Sequence, residues 1–303
     1  MTLANVVRGK IVKPIRCMVF GIHGVGKSTF AADAPSPIFL CSEDGTAQLD
    51  VARLPTPRSW ADVLEAIRVL THEEHDFKTL VIDTLDWLEP LCWAQVCAAG
   101  GKAAIEDFGY GKGYVAALDV WRGLIARLEQ LERTRKMHIV LLAHAAVKKH
   151  DDPFAGQFDR YRMKLHEKAG DLLAEWVDAL LFARHEVAAV KGAKDSKARG
   201  VSSGARILHT QWTAAFDAKN RFGLPEEMPL SWADFEAAVK AAAPADPAKL
   251  LAELDELLPR LAPERAAKVR ALVEGMRDDS ARLAKLVDQV RGQVLITSAG
   301  DES

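Results

Sequence analysis

At 303 residues and 49% hydrophobic content the chain can bury a full core with an appendage, and its formal net charge of −2 excludes a global basic field, so any nucleic-acid contact has to come from local patches. No apolar run approaches the ~20 residues that span a bilayer, and residues 1–16 scatter their charges without the apolar segment of a secretory signal. Cys17, Cys41, Cys92 and Cys97 stand in or beside apolar runs rather than in CxxC pairs, which predicts buried reduced thiols, not zinc ligands, in a soluble cytoplasmic protein without a membrane partner.

The first predicted element is an apolar strand at 15–20. It leads into Gly21-Ile22-His23-Gly24-Val25-Gly26-Lys27-Ser28, a GxxxxGKS string, and then a helix-compatible segment at 28–33. Strand, glycine-rich turn and helix in that order make a Walker A phosphate loop. The glycines let successive backbone N–H groups turn around phosphate oxygens, Lys27 supplies a point charge for the β and γ phosphates, and the Ser28 hydroxyl can ligate magnesium. ATP with Mg2+ is the expected ligand, held by Gly21, His23, Gly24, Val25, Gly26, Lys27, Ser28 and Thr29.

A second strand at 38–42 ends in Ser42-Glu43-Asp44-Gly45. Ser59-Trp60-Ala61-Asp62 resembles a capping box, after which Val63, Ile67 and Leu70 recur at helical spacing. The strand at 79–83 closes on Asp83, which suits a Walker B carboxylate holding magnesium through water or the Ser28 hydroxyl. A long helix at 114–133 carries Leu118, Trp121, Ile125 and Leu128 on one stripe, and a strand at 138–143 ends before His144. Short, almost uniformly apolar strands alternating with helices predict an α/β fold with a mainly parallel central sheet. Strand-like runs at 179–183, 206–212 and 214–218 predict an antiparallel extension at one edge.

Ser231 opens a helix that ends near Ala243, and Pro244-Ala245-Asp246-Pro247 breaks the pattern, so the domain boundary is placed there. Leucine- and valine-rich stretches beyond it read as three amphipathic helices, the second opened by Pro263. The predicted organisation is a core at 1–243, a helical region at 244–297 and a disordered tail at 298–303.

The strings Glu106-Asp107-Phe108-Gly109-Tyr110-Gly111-Lys112-Gly113-Tyr114, His138 to His144, and Ala218-Lys219-Asn220-Arg221-Phe222-Gly223-Leu224-Pro225 resemble the phage nucleotide-binding AAA family, whose members include RecA-like single-strand annealing proteins. The resemblance covers most of the first 230 residues and implies a RecA-like P-loop NTPase core. AAA+ proteins usually place the catalytic carboxylate directly after the Walker B aspartate, where this chain has Thr84. The RecA class keeps it after the second strand, and Glu43 stands there; the alternative for Glu43 or Asp44 is a helix cap or a solvated turn. The resemblance further implies that His144 senses the γ phosphate. It makes Lys219 and Arg221 a pair that reaches a neighbouring subunit's nucleotide, so that hydrolysis needs a homo-oligomer, ring or filament.

Relatives line their DNA path with the stretches that correspond to 99–113 and 145–164. Tyr110 and Lys112 in the first, and Lys148, Lys149, Arg160, Arg162 and Lys164 in the second, offer stacking and phosphate contacts, although Asp151, Asp152 and Asp159 dilute the charge. A third basic stretch, 191–206, is rich in Gly and Ser and reads as a hairpin tip. Only about fifteen residues precede the first strand, fewer than an N-terminal polymerisation domain needs. The leading expectation is an ATPase that binds single-stranded DNA and promotes annealing or strand exchange in a bacterial or phage-infected cytoplasm. A replication-associated motor or loader that remodels a protein partner is the alternative, and a small-molecule P-loop kinase ranks last.

Overall fold

The structure, a computed structural model, describes residues 11–190, 199–243, 246–277 and 279–300. It separates into two compact units, Lys13–Ala242, and Ala243–Ser303 with Met1–Val12. Residues 1–10, residues 191–198 of the basic stretch and the end of the predicted tail, 301–303, lie outside the described residues.

The larger unit runs β1 (Arg16–Gly21), α1 (Lys27–Ala32), β2 (Pro37–Cys41), β3 (Ala52–Arg53), α2 (Trp60–His72), β4 (Thr79–Asp83), α3 (Leu85–Gly100), α4 (Lys112–Arg135), β5 (His138–Asp152), β6 (Gly156–Met163), α5 (Glu167–Trp176), β7 (Ala179–Val190), β8 (Arg199–His209), β9 (Lys219–Asn220), β10 (Glu227–Pro229) and α6 (Trp232–Ala242). The sheet has ten strands in the order β10-β8-β7-β1-β5-β4-β2-β3, with β6 on β5 and β9 on β7. From β7 through β3 neighbours are parallel. Strands β6, β8, β9 and β10 are antiparallel to their partners. The fold is therefore mixed α/β with antiparallel edge strands, as the alternation of strand and helix patterns predicts.

The central strands are apolar throughout because both faces of the sheet are covered. Met18 and Phe20 of β1 enter one cluster with α2, α3, α4 and α5, while Cys17 and Val19 enter another with Val25 and Phe30 and the aromatic Trp232 and Phe235 of α6. Alternation along β1 thus splits the core into two layers. All four cysteines are buried and free.

Local signals explain most of the helices. The Ser59 hydroxyl accepts from the Asp62 N–H at 3.2 Å and the Asp62 carboxylate accepts from the Ser59 N–H at 2.9 Å, closing the capping box that starts α2. Helices α3 and α5 were not legible in the pattern. Helix α3 buries Leu85, Leu88, Cys92 and Val96 on one face, but its exposed face carries Trp87, Pro90, Ala94 and Ala98 instead of charges, and α5 is only ten residues long.

Two stretches differ from the sequence expectation. Residues 145–164 form not a loop but a β-hairpin, because β5 continues to Asp152 and returns as β6. The Asp152 carboxylate accepts from the N–H groups of Phe154 and Ala155 at 2.8 and 2.9 Å, and Gly156 at φ 75 closes the turn. Residues 214–218 form no strand; Phe216 makes only isolated bridges to Tyr161 and Thr213, and the edge pairing is taken by β9.

The smaller unit holds α7 (Pro247–Leu257), α8 (Pro263–Glu274) and α9 (Ser280–Gly300). Asp246 caps α7 through the Ala248 N–H at 2.9 Å. Leu250, Leu254, Val269, Val273, Leu283 and Val287 give this unit a core of its own. Among the described residues no helix is long and apolar enough to cross a membrane.

Candidate nucleotide site and its surroundings

The phosphate loop leaves β1 at the C-terminal end of the parallel strands. Gly21 sits against β7 so closely that a Cβ would lie 2.3 Å from the Ala183 carbonyl oxygen. Gly24 and Gly26 take left-handed φ values of 74 and 104, which a side chain would strain. Val25 is buried and pins the loop to the core, whereas His23 and Thr29 are exposed.

Lys27 is 5% exposed, and its Nζ donates to the carbonyls of Gly21 and Ile22, both at 3.1 Å. Burial holds its pKa below the usual lysine value, against the pull of Asp83, Asp86 and Glu43. The Ser28 hydroxyl donates to Asp83 Oδ2 at 2.6 Å. Burial raises the Asp83 carboxyl above its ordinary range despite the Ser28 hydrogen bond and the Lys27 charge.

Strand β2 is tied to the end of β4 by three bonds. The Ser42 N–H donates to the Asp83 carbonyl at 2.8 Å, the Ser42 hydroxyl donates to the Thr84 carbonyl at 2.7 Å, and the same hydroxyl accepts from the Thr84 N–H at 2.9 Å. Glu43 therefore follows directly beside the Asp83 strand end. Its pKa is raised, first by burial, with His144 and Lys27 pulling down and Asp83 and Asp86 pushing up.

His144 continues β5 beyond Ala143 and binds Asp86 twice: its N–H donates to Oδ1 and its Nδ1 meets Oδ2, each at 2.9 Å. A carboxylate only accepts, which puts the proton on Nδ1. Burial works to raise Asp86, yet the bonds from His144 hold its carboxyl below the usual range. Sequence reasoning missed Asp86; its only signal was a carboxylate three residues after Asp83, in the first turn of α3.

The same end of the sheet carries the two stretches assigned to DNA. Tyr110 is fully exposed at φ 47, between Gly109 and Gly111 at φ 66 and 70, and Lys112 follows it into the solvent. Gly113 has no room for a Cβ, which would lie 2.3 Å from the Ile105 carbonyl oxygen. The Tyr114 hydroxyl donates to Glu106 at 2.6 Å and its ring stacks on His166 at 4.3 Å, joining the first stretch to the foot of the hairpin. The Lys164 N–H donates to the His144 carbonyl at 2.7 Å, and the His166 N–H donates to both oxygens of buried Glu89 at 3.0 Å.

Within the hairpin, Lys148, Lys149 and Lys164 are exposed. Arg160 and Arg162 are not comparably free. Arg160 is 4% exposed, reaches Asp217 at 2.5 Å and lies over the Trp212 ring at 5.2 Å; Arg162 contacts Asp217, Glu167 and Asp171 at 3.0 to 3.3 Å.

Lys219 and Arg221 lie away from the phosphate loop. Strand β9 pairs with the start of β7, at Ala179 and Leu180, whereas the loop leaves β1 opposite Ala183. Lys219 donates to the last carbonyls of α5, on Ala174 and Glu175, at 2.7 and 3.1 Å, and Arg221 joins Arg16 on Asp178 at 3.1 Å. Neither is brought to the Lys27 cluster of its own chain.

The sequence model of a protein family described as AAA domain matches residues 13–222. No curated protein sequence matches the chain. Among solved structures, one described as the RadB recombinase resembles it at a TM-score of 0.39 and 14% identity, over 70% of this chain and 83% of that one.

Proposed function

The chain belongs to the AAA domain family, whose model matches residues 13–222, and from that premise we propose that it has a RecA-like core, hydrolyses ATP with Mg2+ and couples the cycle to single-stranded DNA for annealing or strand exchange. The observation that carries this reading is the convergence of Lys27, Ser28, Asp83, Glu43 and the Asp86–His144 pair on neighbouring strand ends.

The donor set fits magnesium. One carboxylate and one hydroxyl, 2.6 Å apart beside a phosphate loop, are the oxygen ligands that ion takes when phosphates complete its shell. Among the described residues no cluster of three or more His, Cys, Asp and Glu competes as a metal site. When bound, the ion would neutralise charge developing on the phosphates. Lys27 and the loop N–H groups would hold the β and γ phosphates, and Glu43, with its raised pKa, would orient and deprotonate the attacking water. The Asp86–His144 pair adjoins the foot of the hairpin, so a change at His144 would pass to Lys164. Tyr110, Lys112 and the three hairpin lysines would supply stacking and phosphate contacts. Lys219 and Arg221, distant from their own loop, would act on a neighbouring subunit.

Steady-state ATP turnover with and without single-stranded oligonucleotides, alongside mass measurement, tests the proposal: stimulation by DNA in an oligomer is expected. One observation favours a second reading. The pairing of Arg160 and Arg162 with carboxylates reduces the hairpin's free positive charge, which suits an ATPase that remodels a protein partner. Turnover without DNA binding at low salt would select that reading.

A further inference from the structure

Arg206 lies on the phosphate loop. A Cβ built on Gly26 would meet its Nη1 at 2.6 Å, with Leu230 Cδ2 next at 3.5 Å. Strand pairing explains why. Gly21 stands opposite Ala183, Ala183 opposite Leu208, and Arg206 opposite His185, so Arg206 is two residues, roughly 7 Å, further toward the loop end of the sheet. Leu208 packs in the cluster that holds Val25 and Phe30, and by alternation Arg206 emerges on that same face. The Leu230 N–H donates to the Arg206 carbonyl at 3.0 Å and fixes the backbone there.

Among the described residues no carboxylate pairs with its guanidinium. Arg16, Arg160, Arg162 and Arg221 each reach a carboxylate; among the described residues Arg206 has no such ion pair or side-chain hydrogen bond. It shares the loop with Lys27, a second cation that is itself desolvated. Two cations converging on one short loop repel unless a polyanion lies between them, and a planar guanidinium can bind two phosphate oxygens at once.

We propose that Arg206 is a nucleotide-binding residue that grips the phosphate tail of the nucleotide held by its own chain. This rests on the nucleotide reading of the phosphate loop. Strand β8 thereby closes the site from the side opposite Glu43, and no signal in the basic 191–206 stretch distinguished this arginine from its neighbours.

The test uses the full chain as wild type, Lys27→Ala, Arg206→Ala and Arg206→Lys, titrated with fluorescent ATP, ADP and GTP, with thermal melts as a control. Arg206→Ala should weaken all three nucleotides by about tenfold or more, with the melt unchanged because the side chain is exposed. Arg206→Lys should recover part of the loss, since it keeps the charge and loses the fork. Wild-type affinity in Arg206→Ala, or a loss confined to one base, overturns the phosphate role. If Lys27→Ala binds as wild type does, or wild type binds none of the three, the nucleotide reading falls and this inference with it. A binding loss in Lys27→Ala alone removes only Arg206.

Discussion

Burial acts in opposite directions on the charged residues near the phosphate loop, lowering Lys27 and raising Asp83, Glu43 and Glu89. Lys27 bonds the loop's own carbonyls and packs no core cluster, so Lys27→Ala should lose nucleotide binding while its melting temperature stays within a few degrees of wild type; a folded variant that binds ATP normally removes the assignment. Glu43→Gln keeps the shape and loses the basic oxygen. It should bind ATP and Mg2+ yet turn over about 10² to 10⁴ times more slowly, a range typical of lost base catalysis, and normal turnover would transfer the role to Asp44. Glu89 gives a pH test. Its pKa is raised from 4.5 to about 7, mainly by burial, with the His166 N–H and then Lys148 opposing and Asp86 adding. Between those values the folded chain binds more protons than the unfolded one, so this residue lowers stability as pH rises through the window. Glu89→Gln can still accept from the His166 N–H and does not titrate. Its melting temperature relative to wild type should climb between about pH 4.5 and pH 7 and level off above; parallel profiles would contradict the buried-carboxyl account.

The β5–β6 hairpin divides its cations between structure and solvent, and the two groups should respond differently to neutralisation. Arg160→Gln removes the buried guanidinium from Asp217, which keeps Arg162 at 3.0 Å, and should cost about 1.5 to 3 kcal/mol of stability, the usual worth of a hydrogen bond to a charged group. Changing Lys148, Lys149 or Lys164 to Gln should leave the melt alone and weaken single-stranded DNA binding. Each lost phosphate contact should flatten the logarithmic salt dependence of affinity by about 0.7. Fluorescence anisotropy across a salt series reads this directly, and an unchanged slope in the triple lysine variant would exclude the hairpin as the DNA contact.

For the whole molecule, the decisive geometry is that Arg221 and the phosphate loop are at different levels of the sheet, Arg221 on Asp178 beside the start of β1 and the loop at its end. A role in hydrolysis then requires a second subunit. Arg221→Ala and Glu43→Gln proteins should each be poor ATPases, and mixing them should restore activity at interfaces that pair an intact Glu43 with a donated Arg221. Mixed oligomers verified by mass that stay as inactive as their parents would leave Arg221 as part of the Asp178 ion cluster. Such a finger can be worth about 10³ to 10⁵ in rate, so even partial rescue is measurable.

The sequence by itself determined the phosphate loop, the Asp83 strand end, the α2 cap, the parallel character of the central strands and the breaks around Pro247 and Pro263. These are local: a glycine demanded by a positive φ, a serine three residues before an aspartate, or an apolar run buried on both faces leaves its mark within a few residues. Only the tertiary structure decided that Asp86 locks His144, that Asp217 captures Arg160 and Arg162, that Lys219 caps α5, and that Arg206 rests on Gly26. Those pairings join residues separated by 58, 57 and 55, or 45 positions, or bridge from β8 to the loop. Contacts of that reach depend on strand order and register, which no single-chain pattern of charges or apolar residues encodes. Helix α3 was hidden for a different reason: it buries one face, but its exposed face carries Trp87, Pro90, Ala94, Ala98 and Ala99 rather than charges, which erases the polar half of the period.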